Sequence, residues 1–451
     1  AILDWFSDRA CARLGNWLGS KLPFDERWIV EPISDSTLYP AYYIVSKWIE
    51  NKTIKVKDLT EEFFDYVFLN IGEGKPKWKP IKEEFDYFYP LDINLGGKEH
   101  KTVHFPVFLM NHVAILPEDK WPKGIFVNWW VTGKGSKISK SKGGAVPIPE
   151  AVEKYGVDAM RLYYAHIGSP HLDVIWTEDI VMNYKNSLER VILLISELKK
   201  VDGKKKSVDD WLVSRMNEHL KKIAHEMEDY NLRELASTVY FTIYDDLKWY
   251  IRRGGENKKV IEETINTWLK LMNPITPHMS EELNDTKELV SSSEWPEIDQ
   301  NKISLKANAG EQLVRTAIDG MRNVLKLAKL EKANKYTLFV AEEWLYELFN
   351  LVSSEIKITR NIGEIMKKVL EIERMKMKGK EISKIVLGLV KDVSKIPALV
   401  TSQIEEYDII IEAKDFLEKE FNCKINVVKG EDSKENKAKS AMPGKVGILV
   451  E

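Results

Sequence analysis

Four consecutive stretches repeat apolar residues at intervals of three and four: NSLERVILLISELKK (186–200), DDWLVSRMNEHLKKIAHEMEDYN (209–231), LRELASTVYFTIYDDLKWYIRR (232–253) and KKVIEETINTWLKLM (258–272). That spacing puts the apolar side chains on one stripe of an α-helix. Four such stripes joined by short polar links can bury themselves only against one another, which predicts a helix bundle over about 179–285. NPITPH (273–278) ends the last helix through Pro274 and Pro277.

The flanking sequence has other periods. Before residue 132 the chain is aromatic-rich, and the runs HFPVFLM (104–110) and GIFVNWWV (124–131) read as strands between turns. After SSSEWPEIDQ (291–300), helical patterns (EQLVRTAIDGMRNVLKLAKL, EIMKKVLEIERMKMK, AKDFLEKEF) mix with short strands (YTLFVA, KINVVKG, GILVE). The expected architecture is multidomain, α/β plus α, with a small C-terminal α/β domain. A chain of 451 residues with 44% hydrophobic content is long enough for two to four such domains. The 67 Lys and Arg nearly cancel the 70 Asp and Glu, so any polyanion site has to be a local patch. Two cysteines, Cys11 and Cys423, are too few for a disulfide framework or a cysteine zinc site, which fits a reducing cytoplasm. No apolar run reaches 18 residues, so no membrane partner is expected. The opening AILDWFSDRA begins without Met, as a fragment or a processed half would.

One loop has an unusual composition. GKGSKISKSKGG (133–144) interleaves four lysines with glycine and serine directly after an apolar run. Small residues let a backbone approach a polyphosphate closely while the ammonium groups surround it. A solvated surface turn has the same composition, and the spacing is not that of a Walker-type loop.

The order Lys137-Ile138-Ser139-Lys140-Ser141 resembles the KMSKS signature of class I aminoacyl-tRNA synthetases, with Ile138 in place of methionine. Tyr155, Gly156, Asp158 and Arg161 follow as the YGxDxxR segment of the leucine, isoleucine, valine and methionine subgroup. WLVSRMNEHL (211–220) and NPITPHMSEEL (273–283) are similar to its anticodon-binding bundle. DRACARLG (8–15), EPISDSTLYPAYY (31–43) and KAKSAMPGKVGILVE (437–451) look like archaeal-type leucyl-tRNA synthetases, and the resemblance runs the length of the chain.

The resemblance implies the second half of a Rossmann-type catalytic domain over 1–132, with a signature loop and tRNA-stem contact region over 133–178. An anticodon-binding-type bundle over 179–305 and a tRNA-binding domain over 306–451 would follow. It further implies leucine activation with ATP and Mg2+, transfer to tRNA(Leu), a cytoplasmic location, and a partner: the N-terminal half bearing the His-Ile-Gly-His motif, in the same chain or a separate subunit. A non-catalytic tRNA-binding paralogue or module, or a fragment of an isoleucine- or valine-type synthetase, is the alternative. AHIGSPH (165–171) mimics that motif but follows the loop and has Ser169 in its fourth position, so it is read as a decoy.

Lys137 and Lys140 are the implied catalytic cations, with Ser139 and Ser141 as hydroxyl contacts to ATP or as turn formers. Gly97, Glu99, His100 and His104 of GGKEHKTVHF fall on the family's adenylate-binding segment, and Glu99 can accept from both ribose hydroxyls. The two histidines also have the spacing of a zinc pair or of structural residues, but no third ligand accompanies them, and no bound zinc is expected. Glu99-His100 stands where archaeal-type enzymes more often have Asp-Leu, and Gly144 where asparagine is usual. Ser36, Tyr39, Tyr42 and Tyr43, with His100 and His104, are the implied leucine pocket, with core packing as the alternative for any one tyrosine. Residues 357–380 carry eight Lys or Arg against three Glu. Lys367, Lys368, Arg374, Lys376 and Lys378 are the candidate tRNA contacts, or else a solvated helix face.

Overall fold

The computed structural model of the chain describes residues 10–133, 136–137, 147–168 and 172–451, together with Ile2 and Asp4; for Asp35, Ser136 and Lys137 it describes the backbone alone. The chain divides into two compact units, residues 1–151 with 167–180 and residues 152–166 with 181–451.

In the first unit, strands Ala12–Leu14, Lys21–Leu22 and Asp25–Val30 form a small antiparallel sheet. Helices Tyr39–Glu50, Glu61–Phe68 and Lys79–Phe88 then gather an aromatic core of Phe63, Trp78, Phe85 and Tyr89. Phe63 meets Trp78 edge-on at 5.4 Å, and Phe85 stacks on Tyr89 at 4.5 Å, geometries that rings favour. Strand Asn94–Gly97 pairs in parallel with Ile125–Asn128, and helix His104–Ile115 makes the crossover between them. Val131–Gly133 pairs antiparallel with Ser136–Lys137 and parallel with Val174–Ile175. GIFVNWWV is thus extended, as expected, but HFPVFLM is the start of a helix. The apolar run continues through NHVAI to twelve residues, long for a strand, and Pro106 sits in the first helical turn, where its missing N–H costs nothing.

In the second unit the four periodic stretches are helical: Glu178–Leu198, Ser207–Glu228, Leu232–Ser237 continuing through a π turn to Ile243–Arg252, and Lys258–Met272. Asn231 and Asn257 cap two of them through their side-chain oxygens. The Lys258–Met272 helix stops where Pro274 requires, and Pro277 occupies the first turn of the next helix, Pro277–Glu282. The 24-residue helix Leu305–Ala328 leads to a sheet in which Lys335–Val340 lies between a parallel neighbour, Lys424–Lys429, and an antiparallel one, Gly447–Val450. The run expected as one helix over 364–378 is two pieces, Ile362–Val369 and Glu373–Lys376. The first sends Ile365 and Val369, and the second Met375, into a core shared with Val386 and Phe349. Among the described residues no helix is long and apolar enough to cross a membrane.

Candidate functional site

The parallel strand Asn94–Gly97 ends in a 3-10 turn, Lys98–Lys101, followed by helix His104–Ile115. Ligands of parallel sheets collect at such carboxyl ends. Gly96 is required there: a Cβ would lie 2.5 Å from the Phe105 ring. The Gly97 N–H donates to His100 Nδ1 at 3.1 Å, so a neutral His100 carries its proton on Nε2.

His100 and His104 meet edge-to-face at 5.7 Å, and the Tyr39 ring lies 6.4 Å from His104 and 5.3 Å from Tyr43. Burial, and secondarily the nearby His100, lowers the His104 pKa and favours the neutral ring. The structure thus brings together Tyr39, Tyr43, His100 and His104. Tyr42 is exposed on the same helix, and the Ser36 hydroxyl turns back to the Ile33 carbonyl at 3.3 Å. Glu99 Oε2 accepts from the Trp130 indole at 2.9 Å, while the Lys98 ammonium sits over Trp129 and Trp130 at 4.8 and 4.5 Å. Among the described residues no three His, Cys, Asp or Glu converge to hold a metal ion.

The Lys137 backbone pairs antiparallel with Thr132. Ser139, Lys140, Ser141 and Gly144 lie outside the described residues, as do Ser169, Pro170 and His171 of the decoy. The decoy's His166 is structural: its Nδ1 lies 2.6 Å from the Tyr184 hydroxyl, its ring packs on Phe241, and burial lowers its pKa.

Within the second unit the two motifs quoted separately in the sequence meet. Arg161 donates to the carbonyls of Ile275 (2.7 Å) and Pro274 (2.9 Å), acceptors left over where a helix has ended. Asp158 accepts from the Met279 N–H (2.6 Å) and contacts His278 Nδ1 (2.9 Å), capping the Pro277–Glu282 helix.

Among the described residues, four of the eight cations over 357–380 are paired with carboxylates. Lys368 pairs with Glu355 at 2.6 Å, Lys376 with Glu373 at 2.5 Å and Lys378 with Glu342 at 2.9 Å, and Arg374 pairs with Glu347. Among the described residues, Lys367 alone of the five candidates has no carboxylate partner. The sequence reading missed a nearby cleft of about 660 Å³, in which Lys384, Lys395, Lys439 and Lys445 ring an apolar floor that includes Ile385, Leu389 and Met442. Lys395 is 3.5 Å from Asp392; the other three form no ion pair among the described residues. Their separation in the chain hides the cluster, although Lys439 and Lys445 lie in the tail whose sequence resembles archaeal-type leucyl-tRNA synthetases.

Two family models match this chain: "tRNA synthetases class I (M)" over residues 84–192, the segment containing the strand end and signature loop, and "Anticodon-binding domain of tRNA ligase" over 209–384. The chain belongs to the class I tRNA synthetases. More narrowly, archaeal leucine–tRNA ligases match it from end to end. It is 37% identical to that of Methanocaldococcus jannaschii over 100% of this chain and 48% of the relative. Identity is 34% to that of Pyrococcus furiosus (100% and 49%) and 34% to that of Archaeoglobus fulgidus (99% and 48%). The chain spans about half the length of the curated relatives it matches. Among solved structures, the Agrobacterium radiobacter K84 agnB2 LeuRS-tRNA-LeuAMS ternary complex aligns with a TM-score of 0.45 at 19% identity, over 64% of this chain and 37% of that one.

Proposed function

We propose that the chain is the C-terminal portion of a cytoplasmic leucine–tRNA ligase that works with an N-terminal half carrying the remaining catalytic motif. The observation that carries this reading is the end-to-end match to archaeal leucine–tRNA ligases at 34–37% identity. Residues 1–132 then complete a Rossmann-type catalytic domain, and 133–178 carry the signature loop toward the tRNA stem. Residues 179–305 form a bundle that acts mainly as a scaffold against the tRNA, and 306–451 hold RNA.

In this reading the leucine carboxylate attacks the α-phosphate of ATP, brought in with Mg2+, and pyrophosphate leaves. Positioning and electrostatics carry such a step. Lys137 and Lys140 meet the charge developing on the leaving diphosphate, with Ser139 and Ser141 shaping their loop. Gly97, Glu99, His100 and His104 hold the adenylate, and Ser36, Tyr39, Tyr42 and Tyr43 line the leucine side. The aromatic grouping of Tyr39, Tyr43, His100 and His104 at a parallel strand end supports the last assignment. Of the basic residues expected to meet tRNA, Lys367 is assigned to it together with the four-lysine cleft, while Lys368, Arg374, Lys376 and Lys378 take that part only by giving up their carboxylates.

Leucine-dependent ATP–pyrophosphate exchange tests the reading. The chain alone should be inactive yet bind tRNA at low salt, and the chain joined to an N-terminal half should exchange. Lys140→Gln should then cost about 10²–10³ in rate, the effect of losing one preorganised donor. Unchanged exchange after Lys137 and Lys140 are both made Gln would refute the assignment, and tRNA binding without exchange in the joined protein would indicate a non-catalytic RNA-binding module.

A further inference from the structure

The geometry points to Trp130 as a positioning residue for the nucleotide: its indole N–H holds the Glu99 carboxylate over the end of strand Asn94–Gly97, ready to accept from the paired hydroxyls of a ribose. This rests on the functional reading above for the ligand, ATP, and goes beyond it in naming the side chain that sets the preference for ribose over deoxyribose.

Glu99 needs such a hold. It lies exposed on the 3-10 turn Lys98–Lys101, and a glutamate on a surface turn samples many rotamers, so ordering it only when a nucleotide arrives would cost affinity. The Trp130 Nε1–H reaches Glu99 Oε2 at 2.9 Å. Indole can only donate and an ionised carboxylate can only accept, so the contact has one direction and the charge strengthens it. The carboxylate is folded back over the strand end: a Cβ built on Gly97 would lie 3.0 Å from Glu99 Oε2 and 3.5 Å from His100 Nδ1. Glu99 and His100 thus flank one point above Gly97, and the absence of a side chain there lets the carboxylate settle. A carboxylate has about four acceptor positions, so one given to indole leaves capacity for two hydroxyls.

Trp130 is itself fixed by contacts other than Glu99. Its N–H donates to Asp173 Oδ1 at 3.2 Å and its carbonyl accepts from the Val174 N–H at 2.8 Å, which fastens its backbone at the start of strand Val174–Ile175. The Lys98 ammonium lies over the ring at 4.5 Å, on its face, while the N–H edge points to Glu99. A contact that merely tied the turn to the next strand connection would affect stability and treat all nucleotides alike. A contact that aims the carboxylate decides which sugar is held.

The experiment measures the affinities of ATP and 2′-deoxyATP by calorimetry, with leucine-dependent exchange alongside, in the chain joined to the part of the Methanocaldococcus jannaschii enzyme that it does not match. The parent should prefer ATP by about tenfold or more, as expected for a hydrogen bond to a charged group. Trp130→Phe keeps a ring without the N–H; it should weaken ATP about tenfold and 2′-deoxyATP by less, so that the preference shrinks. Trp130→His should restore part of it, because imidazole overlays the pyrrole ring of indole and puts Nε2 where Nε1 stood. In a Glu99→Ala background, Trp130→Phe should change neither affinity further, since the indole acts through Glu99. Equal losses for the two nucleotides in Trp130→Phe, or a further loss in Glu99→Ala, would overturn the proposal and leave the contact as a structural tie. Should melting show that Trp130→Phe does not fold, Trp130→His decides: a preference no greater than that of Glu99→Ala refutes the role. A Trp130-dependent preference without exchange sinks leucine activation and leaves the positioning role; exchange with a preference indifferent to Trp130→Phe does the reverse. Failure to bind ATP at all refutes both.

Discussion

The helical unit and the strand-end cluster treat their polar side chains in opposite ways. In the bundle they close on one another. Buried Asp246 accepts from Arg215 (3.0 Å), His219 (2.8 Å) and Arg315 (3.4 Å), so both its oxygens are used. Buried Arg253 gives Nε and Nη2 to Glu311 at 2.9 and 3.1 Å and Nη2 again to Glu412 at 2.9 Å. At the strand end the polar groups point outward: Tyr39, Tyr42 and Tyr43 are exposed, and the imidazoles of His100 and His104 stand edge-to-face among them. A closed network holds a fold together, whereas an open one keeps capacity for a ligand. The difference separates polar groups that hold the fold from polar groups left for a ligand.

Removing the centre of the closed network should have the largest effect. Asp246→Ala leaves buried His219 and half-buried Arg315 without this acceptor, while Arg215 keeps Glu218 at 2.7 Å; breaking a buried pair typically costs about 3–5 kcal/mol. Urea unfolding would read it, and a loss below about 1 kcal/mol would show that the network is dispensable. Burial opposes the Asp246 charge, but His219 and Arg215 hold its pKa below the ordinary carboxylate value. Its contribution is therefore present above about pH 4, where the unfolded carboxyl ionises, and is lost as the pH falls through the lower folded value. In Asp246→Ala that part of the acid limb should vanish.

A smaller effect is expected where a closed contact joins segments far apart in the chain. Asp158→Ala leaves the Met279 N–H and His278 without their acceptor, at about 1–2 kcal/mol for a lost cap. Asp158→Asn, which retains an acceptor for the N–H, should recover part of it in the same melting experiment. An unchanged melting temperature in Asp158→Ala would mean that the Pro277–Glu282 helix holds itself.

These two sites show what could be read from the chain and what could not. The bundle was legible because a 3.6-residue period over more than ten residues fixes both helix and buried face, as in Lys258–Met272. The motif residues Asp158 and Arg161 were visible as a pattern, but their partners lie 113 to 121 residues further on, and no local signal carries such a pairing. HFPVFLM misled because six apolar residues after His104 fit either period, and only continuation to Ile115 decides for a helix. At the strand end, the glycines and histidines announced a close approach, whereas the Trp130 indole on Glu99 did not, since it comes from another strand connection 31 residues away. The charge count over 357–380 was correct as arithmetic and incomplete as electrostatics, because the neutralising Glu342, Glu347 and Glu355 precede the run.

That last point yields the smallest and most discriminating difference, between cations already closed and cations left open. A lysine already held by a carboxylate must give up that contact before it can neutralise a phosphate, and the net gain is small because an exposed pair is worth only about 0–1 kcal/mol. Lys376, on Glu373 at 2.5 Å, is of that kind; Lys445 in the cleft forms no ion pair among the described residues. If the cleft holds RNA, Lys445→Gln should weaken tRNA binding and lower the slope of log affinity against log salt by about one, whereas Lys376→Gln should leave the slope nearly unchanged. Filter binding across a salt series measures both variants against the parent chain. Equal slopes for the two would erase the distinction between open and closed cations in this domain, and a larger drop for Lys376→Gln would return the RNA contact to the 357–380 run, with Glu373 exchanging its lysine for water whenever a phosphate arrives.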